Sequence, residues 1–190
     1  MLAYLLTFAR LPLACAFAVV VAVLADRPNV PAAWAIVLLG LASCEELTDY
    51  LDGLAARKTG TASRLGAILD PLADSLARLT MYFAMALGGW ITIAVPLAMT
   101  ARDIVVAYTR VVQALAGGKT AARISGKLKA VVQGAGVFAI VGLAAAGTWL
   151  DGNLVWILRA AVAAVIIAAT SWSLLDYVHA AWPGIGVLRR

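Results

Sequence analysis

Residues 49–74 read DYLDGLAARKTGTASRLGAILDPLAD and place four aspartates between two strongly apolar segments. Asp49 and Asp52 are three residues apart, and Asp70 and Asp74 are four apart, so each pair shares one face of a helix. Charged side chains within apolar helices are costly and are found where a function needs them. The stretch therefore predicts a functional site on two neighbouring helices.

The composition of the chain indicates a membrane protein. Of its 190 residues, 64% are hydrophobic and 13% are charged, and the mean hydropathy is +0.95. A soluble domain carries about 25% charged residues. The chain has 15 Lys and Arg against 10 Asp and Glu, which we assign to membrane topology or anionic partners. No aromatic-basic motif supports binding to nucleic acid.

The apolar runs and the breaks between them predict one all-α domain, residues 1–190, built as a bundle of six transmembrane helices. The predicted helices span residues 4–25, 32–57, 64–87, 92–115, 127–150 and 154–178. Cys15 and Cys44 lie within apolar runs and are expected to be buried. Helix faces of small residues are compatible with a homodimer.

The distribution of basic residues predicts the orientation in the membrane. They concentrate in three places, namely the turn after the second helix, the link after the fourth and the C-terminal tail. The loops on the opposite side hold only Arg27 among basic residues. The positive-inside rule then places both termini and the aspartates on the cytoplasmic side. We expect a multi-pass protein of the inner (cytoplasmic) membrane with its site facing the cytoplasm.

The spacing of the aspartates favours a site for two metal ions. Asp52 lies nine residues before Thr61 and Asp70 nine after it, so a turn centred on Thr61 brings both pairs to one depth. Two divalent cations would neutralise four carboxylates, and oxygen ligands select Mg²⁺ or Mn²⁺. A cation or proton pathway, or a helix pair held by protonated acids, are the other interpretations of the same residues.

The same stretch resembles a family signature. From Asp49 to Asp74 it follows the pattern D-x2-D-G-x2-A-R-x8-G-x3-D-x3-D, which is similar at every position to that of the CDP-alcohol phosphotransferases. The opening TFAR at residues 7–10 and the stretch GKLK at residues 126–129, followed by Gln133, extend the resemblance. These features look most like the phosphatidylglycerophosphate synthases of the family.

The resemblance implies a phosphatidyl transfer from CDP-diacylglycerol to an alcohol, with release of CMP and two Mg²⁺ or Mn²⁺ ions as cofactors. The metal ligands that it implies are Asp49, Asp52, Asp70 and Asp74. It also implies that Asp74 is the general base. The residues that it places against the CDP-lipid are Gly53, Ala56, Arg57 and Gly66.

The identity of the acceptor alcohol depends on basic residues outside the signature. A pocket with several cations suits an acceptor that carries a phosphate, so we expect glycerol 3-phosphate. The residues expected to bind this phosphate are Arg110, Lys127, Lys129 and Arg10. Phosphatidylglycerol, which would give cardiolipin, and inositol phosphate are alternative acceptors. A divalent-cation transporter that uses the same aspartates is the alternative from another class.

Several residues depart from the subfamily that the chain resembles. Ser75 stands where lysine is common, and Asp103 stands where glutamate is common. Glu45 and Glu46 are additional carboxylates on the second helix. Glu45 lies four residues before Asp49 on the same face, so it either supports the site or pairs with Arg102 across the bundle. Arg10 is either a snorkelling arginine or part of the site.

Overall fold

The computed structural model describes the backbone of residues 2–25, 30–59, 66–115 and 123–188, and the side chains of residues 10–25, 30–48, 70–115 and 123–182. These segments form six α-helices and no strand. The helices are α1 (Leu2–Leu24), α2 (Ala32–Thr59), α3 (Gly66–Leu87), α4 (Ala94–Leu115), α5 (Ile124–Ala146) and α6 (Gly152–Leu188). The prediction of an all-α fold with six helices is confirmed.

The first four helices begin and end within two residues of their predicted bounds. Their ends are set by local signals that the sequence displays. The third helix stops at Leu87, directly before Gly88 and Gly89. Gly89 has a φ of 72°, in the left-handed region that glycine adopts readily at the end of a helix.

The last two helices differ from the prediction. α5 starts at Ile124 because Arg123 before it is extended, with φ −87° and ψ 157°, and it ends at Ala146 in a hydrogen-bonded turn. The expected end of α6 at residue 178 is wrong, because the helix continues to Leu188. Tyr177 and Ala181 lie four residues apart and are 1% and 3% exposed, so one packed face carries the helix past that point.

The helices pack around one apolar core. α1 packs against α2 and α3, α4 against α6, and α5 against both α6 and α2. The side chains at the centre are fully buried and include Phe17, Leu38, Tyr82, Met85, Ile140 and Ile166. Residues of α2, α3 and α5 all contribute to this core. The same three helices carry the acidic residues described below and the groups that bind them.

A buried polar chain crosses the core at the level of Gln133. The hydroxyl of Tyr82 donates to the backbone oxygen of Gln133 at 2.7 Å, and Gln133 Nε2 donates to Thr170 Oγ1 at 3.0 Å. Gly136 on α5 leaves room for this arrangement, because a Cβ there would meet the Tyr82 hydroxyl and lie 2.7 Å from Ile166 Cδ1. The glycine therefore permits close packing of α3, α5 and α6.

We expect Gly136→Ala to destabilise the fold, since over-packing a core costs about 1–3 kcal/mol. Gly142→Ala on the same helix is the matched control, because no atom lies within 4 Å of its added Cβ. Thermal unfolding of both variants in one detergent checks the prediction. A Gly136→Ala variant as stable as the control would contradict the packing described here.

The outer surface of the bundle is apolar, as expected for contact with lipid. Large exposed side chains include Val19, Ile36, Leu87, Val131, Trp156 and Leu175. Within the described residues, the segments Ile124–Ala146 and Gly152–Trp182 are long and apolar enough to cross a membrane, and Arg10–Leu24 is a shorter apolar helix. Cys15 and Cys44 lie on this outer surface, so their predicted burial is wrong. These features indicate a membrane protein.

Candidate active site

The first half of α3 carries two of the four predicted metal ligands. Asp70 is exposed, and Asp74, one turn later, has a side chain that is 27% exposed. Both are carboxylates on one face of the helix, as their spacing predicts. The other predicted residues of the signature, Asp49, Asp52, Gly53, Ala56, Arg57 and Gly66, have side chains outside the described residues.

Arg78 binds Asp74 from the next turn of α3. Its Nη2 donates to Asp74 Oδ1 at 3.0 Å and to Glu46 Oε1 on α2 at 3.2 Å. Its Nη1 donates to the backbone oxygen of Ala130 on α5 at 2.9 Å. The Arg78 side chain is 5% exposed, so one buried guanidinium joins three helices at the predicted catalytic residue.

Two further charged residues lie beside this contact. Glu45 is 2% exposed, and the charged groups that act on it are Arg78, Glu46, Asp74 and Arg10. Arg10 is 1% exposed, so it is not a snorkelling arginine. The pairing of Glu45 with Arg102 is wrong, because Arg102 binds other partners. We call Arg10, Glu45, Glu46, Asp74 and Arg78 the acidic cluster, since it holds three carboxylates and two guanidinium groups.

A second group of charges surrounds Asp103 on α4. Arg102 Nη1 donates to Asp103 Oδ1 at 2.8 Å, and Lys129 Nζ on α5 donates to the same oxygen at 3.2 Å. Arg102 Nη2 also donates to Ser173 Oγ on α6 at 2.7 Å. The Arg102, Asp103 and Lys129 side chains are all at most 13% exposed. The carboxylate thus fixes two buried cations.

Tyr177 on α6 gathers further cations around the same place. The guanidinium groups of Arg102 and Arg110 lie 5.2 and 5.4 Å from the centre of its ring, and Arg110 Nη2 donates to its hydroxyl at 3.2 Å. Both distances are in the range of cation–π contacts. We call Arg102, Asp103, Arg110, Lys129 and Tyr177 the basic cluster, which has three cations and one carboxylate.

An ion pair lies at the edge of the basic cluster. Arg123 donates from Nε and Nη2 to the two carboxylate oxygens of Asp176, at 2.6 and 2.7 Å. Ser125 also donates to Asp176, and the backbone N–H of Arg123 donates to the Tyr177 hydroxyl at 3.1 Å. The hydrogen bonds to Asp176 raise the pKa of Arg123. This pair anchors the start of α5 to α6.

The acidic and basic clusters lie side by side, because Arg78 is close enough to Lys129 for the two charges to act on each other. The side chain of Ser75, the residue after Asp74, lies beside Asp103. Arg78 binds the backbone oxygen of Ala130, the residue after Lys129. Asp74 and Lys129 are therefore each followed by a residue at the junction of the clusters, Ser75 and Ala130 respectively. Ser75, which stands where the subfamily that this chain resembles commonly has lysine, therefore lies at the junction of the two clusters.

The residues predicted to bind the acceptor phosphate do not all lie in one place in the structure. Lys129 and Arg110 belong to the basic cluster, whereas Lys127 is exposed and Arg10 lies in the acidic cluster. Sequence reasoning missed Arg78, although its position four residues after Asp74 predicts an ion pair on one helix. It also missed Tyr177 and Asp176, whose partners lie more than fifty residues away in the chain.

The described side chains of the site are of a chemical type that binds divalent cations. Asp70 and Asp74 supply carboxylate oxygens, which are the ligands of hard cations. Counted with every carboxylate ionised, the acidic cluster holds one negative charge more than positive, which favours a cation beside it. Among the described residues no group of three His, Cys, Asp or Glu side chains forms a complete metal site, and the Asp49 and Asp52 side chains are not among them.

The far end of the bundle contains a cavity of about 560 Å³. The turns after α3 and α5 border it, together with Trp156 and Arg159 from α6. Asp74 lies near the opposite end of α3. Arg159 is half-buried, and its Nε contacts no hydrogen-bond acceptor among the described residues. This cation lies apart from both clusters.

Comparison with known proteins identifies the family. The family model for CDP-alcohol phosphatidyltransferase matches residues 1–175. A protein of Salmonella typhimurium named CDP-diacylglycerol--glycerol-3-phosphate 3-phosphatidyltransferase is 34% identical over 164 residues, which cover 80% of this chain and 82% of the relative. A protein of the same name from Escherichia coli is 33% identical with the same coverage. These matches favour the transferase over a cation transporter, and the chain belongs to the CDP-alcohol phosphatidyltransferase family of enzymes.

Proposed function

We infer that this protein transfers the phosphatidyl group of CDP-diacylglycerol to glycerol 3-phosphate, releasing CMP and forming phosphatidylglycerophosphate. The names of both relatives state this pair of substrates. The signature between Asp49 and Asp74 supports the use of a CDP-linked lipid. The choice of acceptor needs support from the residues outside the signature.

The observation that carries the acceptor assignment is the close approach of the acidic and basic clusters, in which Arg78 lies near Lys129. The basic cluster has two positive charges in excess, since it holds Arg102, Arg110 and Lys129 and the single carboxylate Asp103. A phosphate monoester carries about two negative charges at neutral pH. An acceptor whose phosphate binds at Lys129 can therefore bring its hydroxyl toward Asp74, because Arg78 binds both Asp74 and the backbone oxygen of the residue after Lys129.

The chain's own residues have distinct tasks in the proposed reaction. Asp74 takes the proton of the acceptor hydroxyl, whose oxygen bonds to the lipid-side phosphorus as the bond to CMP breaks. Asp49, Asp52, Asp70 and Asp74 hold the metal ions. When bound, two such ions screen the phosphates and stabilise the attacking and leaving oxygens. Gly53, Ala56, Arg57 and Gly66 contact the CDP moiety, as the family resemblance implies.

We also propose that all six helices of the single domain, residues 1–190, cross the inner membrane, with both termini and the active site on the cytoplasmic side. The positive-inside distribution of basic residues supports this orientation. The spans at α5 and α6 and the apolar outer surface support the membrane location. A homodimer through faces of small residues is compatible with this arrangement.

The test is release of CMP by the purified protein from CDP-diacylglycerol, with Mg²⁺ or Mn²⁺ and a panel of acceptors. We expect release with glycerol 3-phosphate and loss of release with a chelator. Phosphatidylglycerol or inositol phosphate as the preferred acceptor would replace glycerol 3-phosphate within the same reaction class. Absence of CMP release with every acceptor, or release that a chelator leaves intact, would overturn the proposed mechanism.

We expect Arg110→Gln and Lys127→Gln to raise the KM for glycerol 3-phosphate far more than the KM for CDP-diacylglycerol. The increase should reach about fivefold for exposed Lys127, because exposed ion pairs contribute little. It should be about tenfold for half-buried Arg110, which loses a charged hydrogen-bond donor. Steady-state kinetics with each substrate varied in turn checks this. Equal increases in both KM values would count against a phosphate pocket.

A further inference from the structure

We propose that Arg78 is a positioning residue for Asp74, and that Glu46 and Gly134 hold Arg78 in the required place. This inference rests on the proposed function, because it assigns Arg78 through the role of Asp74. It concerns residues outside the family signature. Arg78, Glu46 and Gly134 come from three different helices, α3, α2 and α5.

Among the described side chains, Arg78 holds Asp74 at one of its two carboxylate oxygens. Arg78 Nη2 donates to Oδ1 at 3.0 Å. Among the described residues none donates a hydrogen bond to Oδ2, and the side chain is 27% exposed. The contact thus fixes the direction of the carboxylate and leaves one oxygen available to a substrate proton or a cation.

The direction of Arg78 is itself fixed by its two other contacts. Nη2 also reaches Glu46 Oε1 at 3.2 Å, and Nη1 reaches the backbone oxygen of Ala130 at 2.9 Å. A planar guanidinium can hold several acceptors in set directions, which the compact ammonium of lysine cannot do. With a side chain that is 5% exposed, Arg78 is confined by packing as well as by hydrogen bonds.

Gly134 makes the position of Glu46 possible. A Cβ at residue 134 would lie 2.6 Å from Glu46 Oε1, closer than real Cβ atoms approach, and 3.2 Å from its Cδ. Only the flexible end of Glu46 stands in the way, so an alanine there would displace the carboxylate with little damage to the helix packing. The absence of a side chain at residue 134 is thus a requirement of the Glu46–Arg78 contact.

Two variants distinguish the orienting effect of Arg78 on Asp74 from the effect of its positive charge. Arg78→Lys keeps the positive charge but cannot hold Asp74, Glu46 and the Ala130 oxygen together. Gly134→Ala changes no charge and moves only the Glu46 carboxylate. Gly142→Ala on the same helix is the matched control, because its added Cβ meets no atom within 4 Å. All three are compared with the wild-type protein in one detergent.

The measurements are the kcat and KM of CMP release, the Kd for Mn²⁺ by direct titration, and the unfolding temperature. We expect Arg78→Lys to lower kcat and raise the Mn²⁺ Kd by about 10- to 100-fold, as is typical when a residue that orients a metal ligand is replaced. The KM values for both substrates should stay nearly unchanged. Gly134→Ala should also lower kcat and raise the Mn²⁺ Kd, but by smaller factors than Arg78→Lys. Gly142→Ala should change neither value.

Wild-type values of kcat and Mn²⁺ Kd in both Arg78→Lys and Gly134→Ala would overturn the inference, as would a loss confined to the unfolding temperature. If the Arg78→Lys variant does not fold, the kcat and Mn²⁺ Kd of the Gly134→Ala variant test the inference. A wild-type protein that binds Mn²⁺ but releases no CMP would defeat the proposed function, while the Kd comparison would still decide the role of Arg78. A wild-type protein that binds no Mn²⁺ would overturn both.

Discussion

Asp74→Asn is expected to lower the rate of CMP release by about 100- to 10,000-fold, the range that general-base catalysis contributes. Asparagine has nearly the same shape and cannot take the proton of the acceptor hydroxyl at neutral pH. Its amide oxygen can still accept the hydrogen bond from Arg78, so the contact at Oδ1 is retained. The fold should therefore survive the change while the chemical step fails.

Asp151→Asn is the matched control for this variant. Asp151 lies in the turn before α6, at the far end of the bundle, and its Oδ1 accepts the backbone N–H groups of Asn153 and Leu154 at 2.9 and 3.2 Å. Asparagine caps a helix about as well as aspartate, so this variant should keep the wild-type rate. Assays of CMP release at saturating substrate test both variants. An Asp74→Asn enzyme with wild-type kcat would show that Asp74 is not the base.

The sequence predicts the helices well where local signals decide their ends. Paired glycines after Leu87 and the proline directly before Ala32 mark boundaries that any packing must respect. The end of α6 follows another rule. The sequence after Val178 contains Pro183 and Gly184, which favour an earlier end, but the buried face through Tyr177 and Ala181 continues the helix. Such a face depends on neighbouring helices and has no local signature.

The same distinction applies to the candidate site. The helical period predicts that Asp70 and Asp74 share a face, and charge counting predicts a cation beside them. The sequence alone does not predict that Arg78 binds Glu46 and the backbone of Ala130, because those contacts depend on how α2 and α5 pack against α3. Nor can it place Tyr177 against Arg102, which is more than seventy residues away in the chain. The partners of buried charges are set by tertiary packing.

Lys129→Met is expected to raise the KM for glycerol 3-phosphate by roughly 10- to 100-fold, since a hydrogen bond to a charged group contributes about 1.5–3 kcal/mol. Methionine fills a similar volume, and Asp103 keeps its bond from Arg102, so no buried carboxylate is left without a partner. The KM for CDP-diacylglycerol should change little. Steady-state kinetics with each substrate varied gives both values.

Two comparisons connect this effect to the acceptor's phosphate. Arg159→Met removes a half-buried cation at the far end of the bundle and should leave both KM values unchanged, which controls for the loss of one positive charge. Glycerol, which has the hydroxyls of the acceptor but no phosphate, should be used equally poorly by wild-type and Lys129→Met enzymes. If the variant lost activity with glycerol as much as with glycerol 3-phosphate, Lys129 would act on the fold or on Asp74. A loss confined to the phosphorylated acceptor would mean that the cation held by Asp103 binds the phosphate, at the junction of the two clusters.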